Sequence, residues 1–137
     1  MSQAQVDGNM SSAASQVCTR MVQLMLKHTG RGPTRARATI SENLVVVVFE
    51  DALTRGETTL VAAGEVDAVA RQRRLFDQVM RPDAIRVVEE LTGRRVRSLM
   101  SDFDPANNLA TSVFVLEAPA EIGPDGRVNG DGPAPAA

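Results

Sequence analysis

The chain has 137 residues, of which 43% are hydrophobic and only 3% aromatic, and its formal net charge is −2 at pH 7. This length suits one domain with an aliphatic core, and the slight acidity excludes a general attraction to nucleic acid or to an anionic membrane. The single cysteine, Cys18, excludes an internal disulfide, and no apolar run approaches the roughly 20 residues that cross a bilayer. We therefore expect a cytoplasmic protein without direct membrane insertion.

The two ends of the chain differ in composition from its middle. Residues 1–11 are polar and show no periodicity, and residues 118–137 are rich in proline, glycine and aspartate. Such segments bury too little apolar surface to offset the entropy lost on ordering. We expect a flexible N-terminus over 1–11, a single domain over 12–117 and a disordered tail over 118–137.

A helix and a β-hairpin are the first predicted elements. Apolar residues recur at helical spacing in the first segment: Val17, Met21, Leu24 and Met25. Ser11 or Ser12 can cap this helix, and the glycines of TGRGP end it near His28. The alternating stretch 34–40 and the unbroken apolar run 44–49 predict two strands joined by a turn, and the second strand should be central in its sheet.

Helix signals follow the hairpin. Thr58 or Thr59 is a candidate cap for a short helix that Gly64 interrupts. A long helix is predicted from about residue 66 to residue 91, and Pro82 should kink or divide it because proline removes a helical hydrogen bond.

A second hairpin closes the domain. The segments RRVRSLMSDF and LATSVFVLE predict strands, and the DPANN loop between them favours a turn. The order is helix, hairpin, helix, hairpin, or αββαββ. We therefore expect an α+β fold with a four-stranded antiparallel sheet and with the helices on one face.

Several of these segments resemble the MpsC-type domain family. They are the GRGP turn, LTRGETTL, a long helix ending in EELTG, RRVRSLMSDF and SVFVLE, and together they span about residues 13–117. The resemblance implies a small accessory or regulatory component of a membrane cation- or bicarbonate-translocating system that generates a membrane potential. It implies membrane transporter subunits as partners and no established catalytic residues.

Candidate catalytic and metal-binding residues are few. His28, the single histidine, has no acidic or thiol ligand at metal-binding spacing. Cys18 lies about 15 Å from His28 along a common helix, too far to form a nucleophile–base pair. Asp102 and Asp104 should hydrogen-bond to the hairpin backbone. We predict no enzyme activity, no metal and no cofactor.

Arginines are the strongest candidates for a binding site. If Ala36 and Ala38 face the helices, Arg35 and Arg37 face the other side of the sheet. Alternation in the third strand predicts that Arg95 and Arg97 share this second side, and Arg55 precedes a helix whose backbone N–H groups can take an anion. Arg71, Arg73 and Arg74 form a further basic cluster. The side with the four strand arginines is a solvated face, a site for a small anion or acidic partner, or an interface with a second protomer.

Three classes of function fit these observations. The first is a non-enzymatic accessory or regulatory protein that binds an anion or acidic partner through the arginine-lined sheet face. The alternative is a nucleic-acid-binding module that uses the same basic face, which the net charge and the scarcity of aromatic residues disfavour. The third, a small enzyme, lacks a paired nucleophile and base. We also expect a homodimer, because one sheet face would otherwise lie in water with Leu99, Phe103 and either Phe114 or Leu116 on it.

Overall fold

The structure is a computed structural model that describes residues 5–6 and 10–125. Its elements, in chain order, are β1 Gln5–Val6, α1 Ser12–Thr29, β2 Arg35–Ser41, β3 Leu44–Glu50, α2 Arg55–Ala62, α3 Val66–Thr92, β4 Val96–Asp104 and β5 Leu109–Leu116. The remaining parts of the predicted flexible N-terminus and disordered tail lie outside the described residues.

The strands form one sheet in the order β1-β2-β3-β5-β4. The contacts between β2, β3, β5 and β4 are all antiparallel, so the predicted four-stranded antiparallel sheet and α+β class are confirmed, with β3 in the middle. The two-residue strand β1 adds a parallel edge beside β2 and is too short to leave a periodic pattern in the sequence.

Helix α1 begins and ends at the signals found in the sequence. The hydroxyl of Ser11 accepts a hydrogen bond from the N–H of Ala14 at 3.1 Å. Gly30 ends the helix in the left-handed region, with φ of 81°, and its N–H donates to the carbonyl of Leu26. The GRGP segment therefore begins as a helix stop, a role that suits glycine because it lacks a Cβ.

Helix α2 begins earlier than predicted. Thr54, and neither Thr58 nor Thr59, is its N-cap. The Thr54 hydroxyl accepts from the N–H of Glu57, and the Glu57 carboxylate accepts from the N–H of Thr54, which is a reciprocal capping box. The T-x-x-E spacing of these two residues is the sequence pattern typical of such a helix start.

Helix α3 continues through Pro82 over its whole length, so the proline does not divide it. The side chain of Pro82 is exposed, which allows the ring to project away from the core. Gly93, with φ of 70°, ends the helix by donating its N–H to the carbonyl of Glu89.

The core fills the space between one sheet face and helices α1 and α3. Its fully buried members come from both layers: Val17, Cys18, Val45, Val47, Val88, Phe114 and Leu116. Ala36 and Ala38 of β2 are buried beneath α1, as predicted, and their small side chains allow close packing of helix on strand. The helices therefore cover one face of the sheet, and no helix within residues 10–125 covers the other.

A bulge in β4 reverses part of the predicted alternation. Val96 is opposite Leu116, whereas Ser98 is opposite the neighbouring Val115, so Arg97 is an extra residue between them. Beyond the bulge Leu99 faces the core with 8% exposure, and Met100 faces outward with 54%. The prediction that Leu99 shares the outer side with the arginines is therefore wrong.

Residues 118–125 lie against the domain, beyond the boundary predicted at residue 117. The N–H of Ala120 donates to the carbonyl of Glu42 at 2.9 Å. Arg94 donates to the carbonyl of Pro119 at 2.8 Å and to the carboxylate of Glu121 at 2.5 Å. These bonds join the chain after β5 to the turn between β2 and β3 and to the connection between α3 and β4.

Candidate functional site

The face of strands β2, β3, β5 and β4 that points away from the helices, here the outer sheet face, carries an open apolar area. Its apolar members stand on the two central strands and on the β4 edge: Leu44, Val46, Val48, Met100, Leu109, Val113 and Val115. Leu44 is 41% exposed, Met100 54% and Leu109 38%. Apolar side chains grouped on one face in this way make it a candidate interaction surface.

Opposite charges flank this area on its two edges. The register places Arg35, Glu50, Leu109 and Asp104 side by side across the sheet, and Arg37, Val48, Thr111 and Asp102 in the next row. Side-chain alternation gives these rows to the outer sheet face. Arg35 and Arg37 form its basic edge on β2, and Asp102 and Asp104 form its acidic edge on β4.

The predicted site arginines do not form one strip. Ser41 of β2 is level with Ser98 of β4, so Arg97 lies at the end of β4 that is farthest from the row of Arg35. Strands β2 and β4 are three strand spacings apart, about 14 Å, and Arg37 is about 13 Å along the strand from Ser41. Arg95 and Arg97 therefore occupy the diagonally opposite corner from Arg35 and Arg37. The nucleic-acid alternative loses the continuous basic face on which it relied.

Within the basic edge the two arginines differ in their contacts. The Nε of Arg35 lies 3.5 Å from Oε2 of Glu50, its neighbour across the strands. Arg37 is exposed and forms no ion pair with any other described residue. Arg55, the first residue of α2, is also exposed and has no ion pair within the described part of the chain. Arg37 is thus the basic-edge charge available to a partner.

The residues predicted to cover the open face belong to the other side. Phe114 and Leu116 are completely buried against the helices, and Leu99 joins them in the core. Phe103 is level with Ala110 on the helix side, where its ring lies beneath Arg73. The apolar residues that do face outward come mainly from the valine runs of β3 and β5.

Arg73 is the centre of a buried ionic cluster that sequence reasoning missed. Its Nε and Nη2 donate to the two carboxylate oxygens of Glu57 at 2.9 and 2.6 Å, and both side chains are at most 5% exposed. Nη2 also donates to the carbonyl of Ala52, and the guanidinium lies 4.9 Å from the centroid of the Phe103 ring. Of the basic cluster predicted on this helix, Arg71 and Arg74 are exposed, whereas Arg73 is buried and paired with Glu57. The pair joins α2 to α3.

A cavity of about 40 Å³ lies beside this cluster, between the helices and strands β4 and β5. It has room for a few water molecules, and Asp77, Ser101 and Ser112 supply polar groups to its lining. Burial raises the pKa of Asp77 to about 6, the Arg73 charge opposes this shift, and the Asp102 charge adds to it. No three His, Cys, Asp or Glu side chains in residues 5–6 and 10–125 stand close enough together to hold a metal ion.

The thiol of Cys18 is buried, and the imidazole of His28 lies partly buried near the end of α1. Burial raises the pKa of Cys18 to about 11, which keeps its thiol protonated and poorly nucleophilic at neutral pH. The Cys18 sulfur lies 3.6 Å from the sulfur of Met10. His28 is partly buried, and its Nε2 lies 3.9 Å from Oδ2 of Asp83 on α3.

Asp102 and Asp104 accept backbone N–H bonds in the β4–β5 hairpin, as expected.

The fold and these surfaces define a two-layer α+β domain with one open, charge-flanked sheet face. The model of one protein family, described as Na⁺-translocating membrane potential-generating system (MpsC), matches residues 9–118. The chain belongs to the MpsC family, as its sequence motifs predicted. No curated protein and no solved structure matches the chain. In the described residues, none of the helices combines the length and the hydropathy required to span a bilayer.

Proposed function

We propose that this chain is a non-enzymatic accessory or regulatory component of a Na⁺-translocating, membrane potential-generating system. In this role it acts from the cytoplasm through protein contacts and leaves ion translocation to separate membrane subunits. The family description supports the connection with the system. The outer sheet face supports a role through protein contacts, because its apolar central strands are flanked by a basic and an acidic edge.

The arginines of the basic edge suit the recognition of an acidic group on another protein. An arginine fork holds a carboxylate through two parallel hydrogen bonds, and Arg37 has no such partner among the described residues. Arg95 and Arg97 lie at the opposite corner, so a small anion cannot be held by all four arginines together. We therefore assign the recognition of acidic partners to Arg35 and Arg37.

We propose that the chain has no catalytic role because its thiol is buried and its imidazole is distant from that thiol. Cys18 is buried with its pKa raised to about 11, and His28 lies about 15 Å away along the same helix. A thiol in that state does not attack a substrate at neutral pH, and no base is near enough to activate it.

The experiment compares cells that carry the chain with cells that lack it, using a potential-sensitive dye in the presence and absence of Na⁺. We expect the Na⁺-dependent potential to fall when the chain is missing and to return with the wild-type chain, with Cys18→Ala and with His28→Ala. Val113→Lys, which places a charge in the centre of the outer sheet face, should not restore it. Gln72→Lys, which adds the same charge on the exposed side of α3, is the control.

An unchanged potential in cells without the chain would contradict the proposed role. A folded Cys18→Ala or His28→Ala variant that fails to restore the potential would contradict the non-enzymatic mode of action.

A further inference from the structure

We propose that the partner of the outer sheet face is a second copy of this chain, related by a twofold axis that runs parallel to the strands between β3 and β5. This inference rests on the proposed function, in which the outer sheet face binds a protein. It identifies the acidic groups that Arg35 and Arg37 contact. They are Asp104 and Asp102 of the other copy.

The argument begins with the rows of the sheet. Four rows cross the outer sheet face, each with one residue from β2, β3, β5 and β4: Arg35, Glu50, Leu109, Asp104; then Arg37, Val48, Thr111, Asp102; then Thr39, Val46, Val113, Met100; then Ser41, Leu44, Val115, Ser98. Each charged row has its arginine at the β2 end and its aspartate at the β4 end. The two uncharged rows have apolar residues on both central strands.

A twofold axis along the strands exchanges the edges and keeps the rows. It lays β2 of one copy over β4 of the other, so Arg37 meets Asp102 and Arg35 meets Asp104, and each pair occurs twice by symmetry. The same operation places Val46 over Val113 and Leu44 over Val115, which buries apolar side chains against each other. Aligned packing of two sheets about 10 Å apart is the common geometry for such faces.

An axis across the strands does not give this match. It lays β2 over β2 and β4 over β4 and reverses the order of the rows, so Arg35 lies over Ser41 and Arg37 over Thr39, and neither arginine meets an aspartate of the other copy. Charges that lose water at an interface without gaining a partner oppose binding, whereas the axis along the strands pairs every edge charge with its opposite. The arrangement of charge therefore selects both the partner and the orientation.

The two members of the central pair cannot satisfy each other within one copy. Arg37 and Asp102 stand in the same row but on opposite edges of the four strands, about 14 Å apart. Asp102 is exposed at the β4 edge, where it also borders the cavity beside Arg73 and Asp77, and it forms no ion pair with any residue in the described part of the chain. Only a second molecule brings the two charges into contact.

The experiment uses charge reversal on the 137-residue chain and sedimentation equilibrium at concentrations around 50 µM. We expect the wild-type chain to be a dimer. Arg37→Asp and Asp102→Arg should each weaken the dimer by about tenfold or more, because each places like charges opposite one another at two symmetric points. Arg71→Asp, at an exposed α3 residue away from the outer sheet face, is the matched control and should leave the dimer intact.

Two further samples separate direct pairing from a general effect of charge. The double variant Arg37→Asp/Asp102→Arg should dimerise again, and an equimolar mixture of the two single variants should form heterodimers, since both pairs are then complementary across the interface. Far-UV circular dichroism of each sample checks that the variants are folded.

A wild-type monomer at this concentration would overturn the inference, and so would folded single variants that dimerise like the wild type. Failure of both the double variant and the mixture to recover the dimer would overturn it as well. If the chain is monomeric but Val113→Lys still abolishes the Na⁺-dependent potential, the outer sheet face binds a different protein, and the proposed function stands without the dimer.

Discussion

At the residue scale, the buried pair of Arg73 and Glu57 joins two helices through an ionic contact almost free of water. Arg73→Met should destabilise the protein by about 3–5 kcal/mol, because it leaves a buried carboxylate without its partner. Arg74→Met, at the exposed neighbour, should change stability by no more than about 0.5 kcal/mol. Urea unfolding followed by circular dichroism measures both, since the chain has no Trp or Tyr for fluorescence.

A second substitution tests whether the cost comes from the unpaired charge. Glu57→Gln removes the charge and retains an oxygen that can accept from the N–H of Thr54. The double variant Arg73→Met/Glu57→Gln should therefore be more stable than Arg73→Met alone. Equal stability of Arg73→Met and Arg74→Met would show that the pair contributes little.

Asp77 should make the stability of the protein depend on pH. Its pKa is raised from 3.8 to about 6 in the folded state, so folding favours its protonated form. The resulting stabilisation is complete below about pH 4 and is lost as the pH rises through about 6. Asp77→Asn should thus be more stable than the wild type at pH 8, by about 1–2 kcal/mol because water partly screens the carboxylate, and nearly equal to it at pH 4.

Urea unfolding of both proteins at the two pH values measures this difference, and the comparison cancels the titration of the other carboxylates. The same advantage for Asp77→Asn at pH 4 and at pH 8 would show that packing, not ionisation, causes it.

At the element scale, Pro82 lies inside a continuous helix although it can donate no backbone hydrogen bond. Pro82→Ala should raise the free energy of unfolding by about 1–3 kcal/mol, because alanine adds the missing bond and its side chain points into solvent. Pro105→Ala, in the turn between β4 and β5, should instead lower it by up to about 1 kcal/mol, because a turn proline restricts the unfolded chain. Chemical denaturation of both variants checks the opposite signs. A loss of stability in Pro82→Ala would mean that the proline shapes α3 for packing.

At the scale of the whole molecule, the segment after β5 should contribute to stability. A chain that ends at residue 117 loses the bonds of Ala120 to Glu42 and of Arg94 to Pro119 and Glu121. We expect it to be about 1–2 kcal/mol less stable than a chain that ends at 125, and to melt several degrees lower. Thermal unfolding compares the two. Equal melting temperatures would place the domain boundary at 117, as the composition predicted.

Local physical chemistry accounts for what the sequence by itself determined. The caps of α1 and the length of α3 follow from serine, glycine and apolar spacing, and the unbroken run of β3 predicts a central strand. These signals act over a few residues, so the α+β class and the four antiparallel strands could be predicted without tertiary contacts. The T-x-x-E spacing of Thr54 and Glu57 is a local signal of the same kind, and it marks the start of α2.

Strand pairing between distant parts of the chain determined which residues lie together in the candidate site. Sequence alternation identified Arg35 and Arg37 correctly as outward residues, yet only the register of β3 and β5 shows that Asp102 and Asp104 are level with them. The bulge at Arg97 and the burial of Arg73 likewise depend on partners distant in the chain. Strand order and register arise from contacts between residues far apart in sequence, and no local pattern contains them.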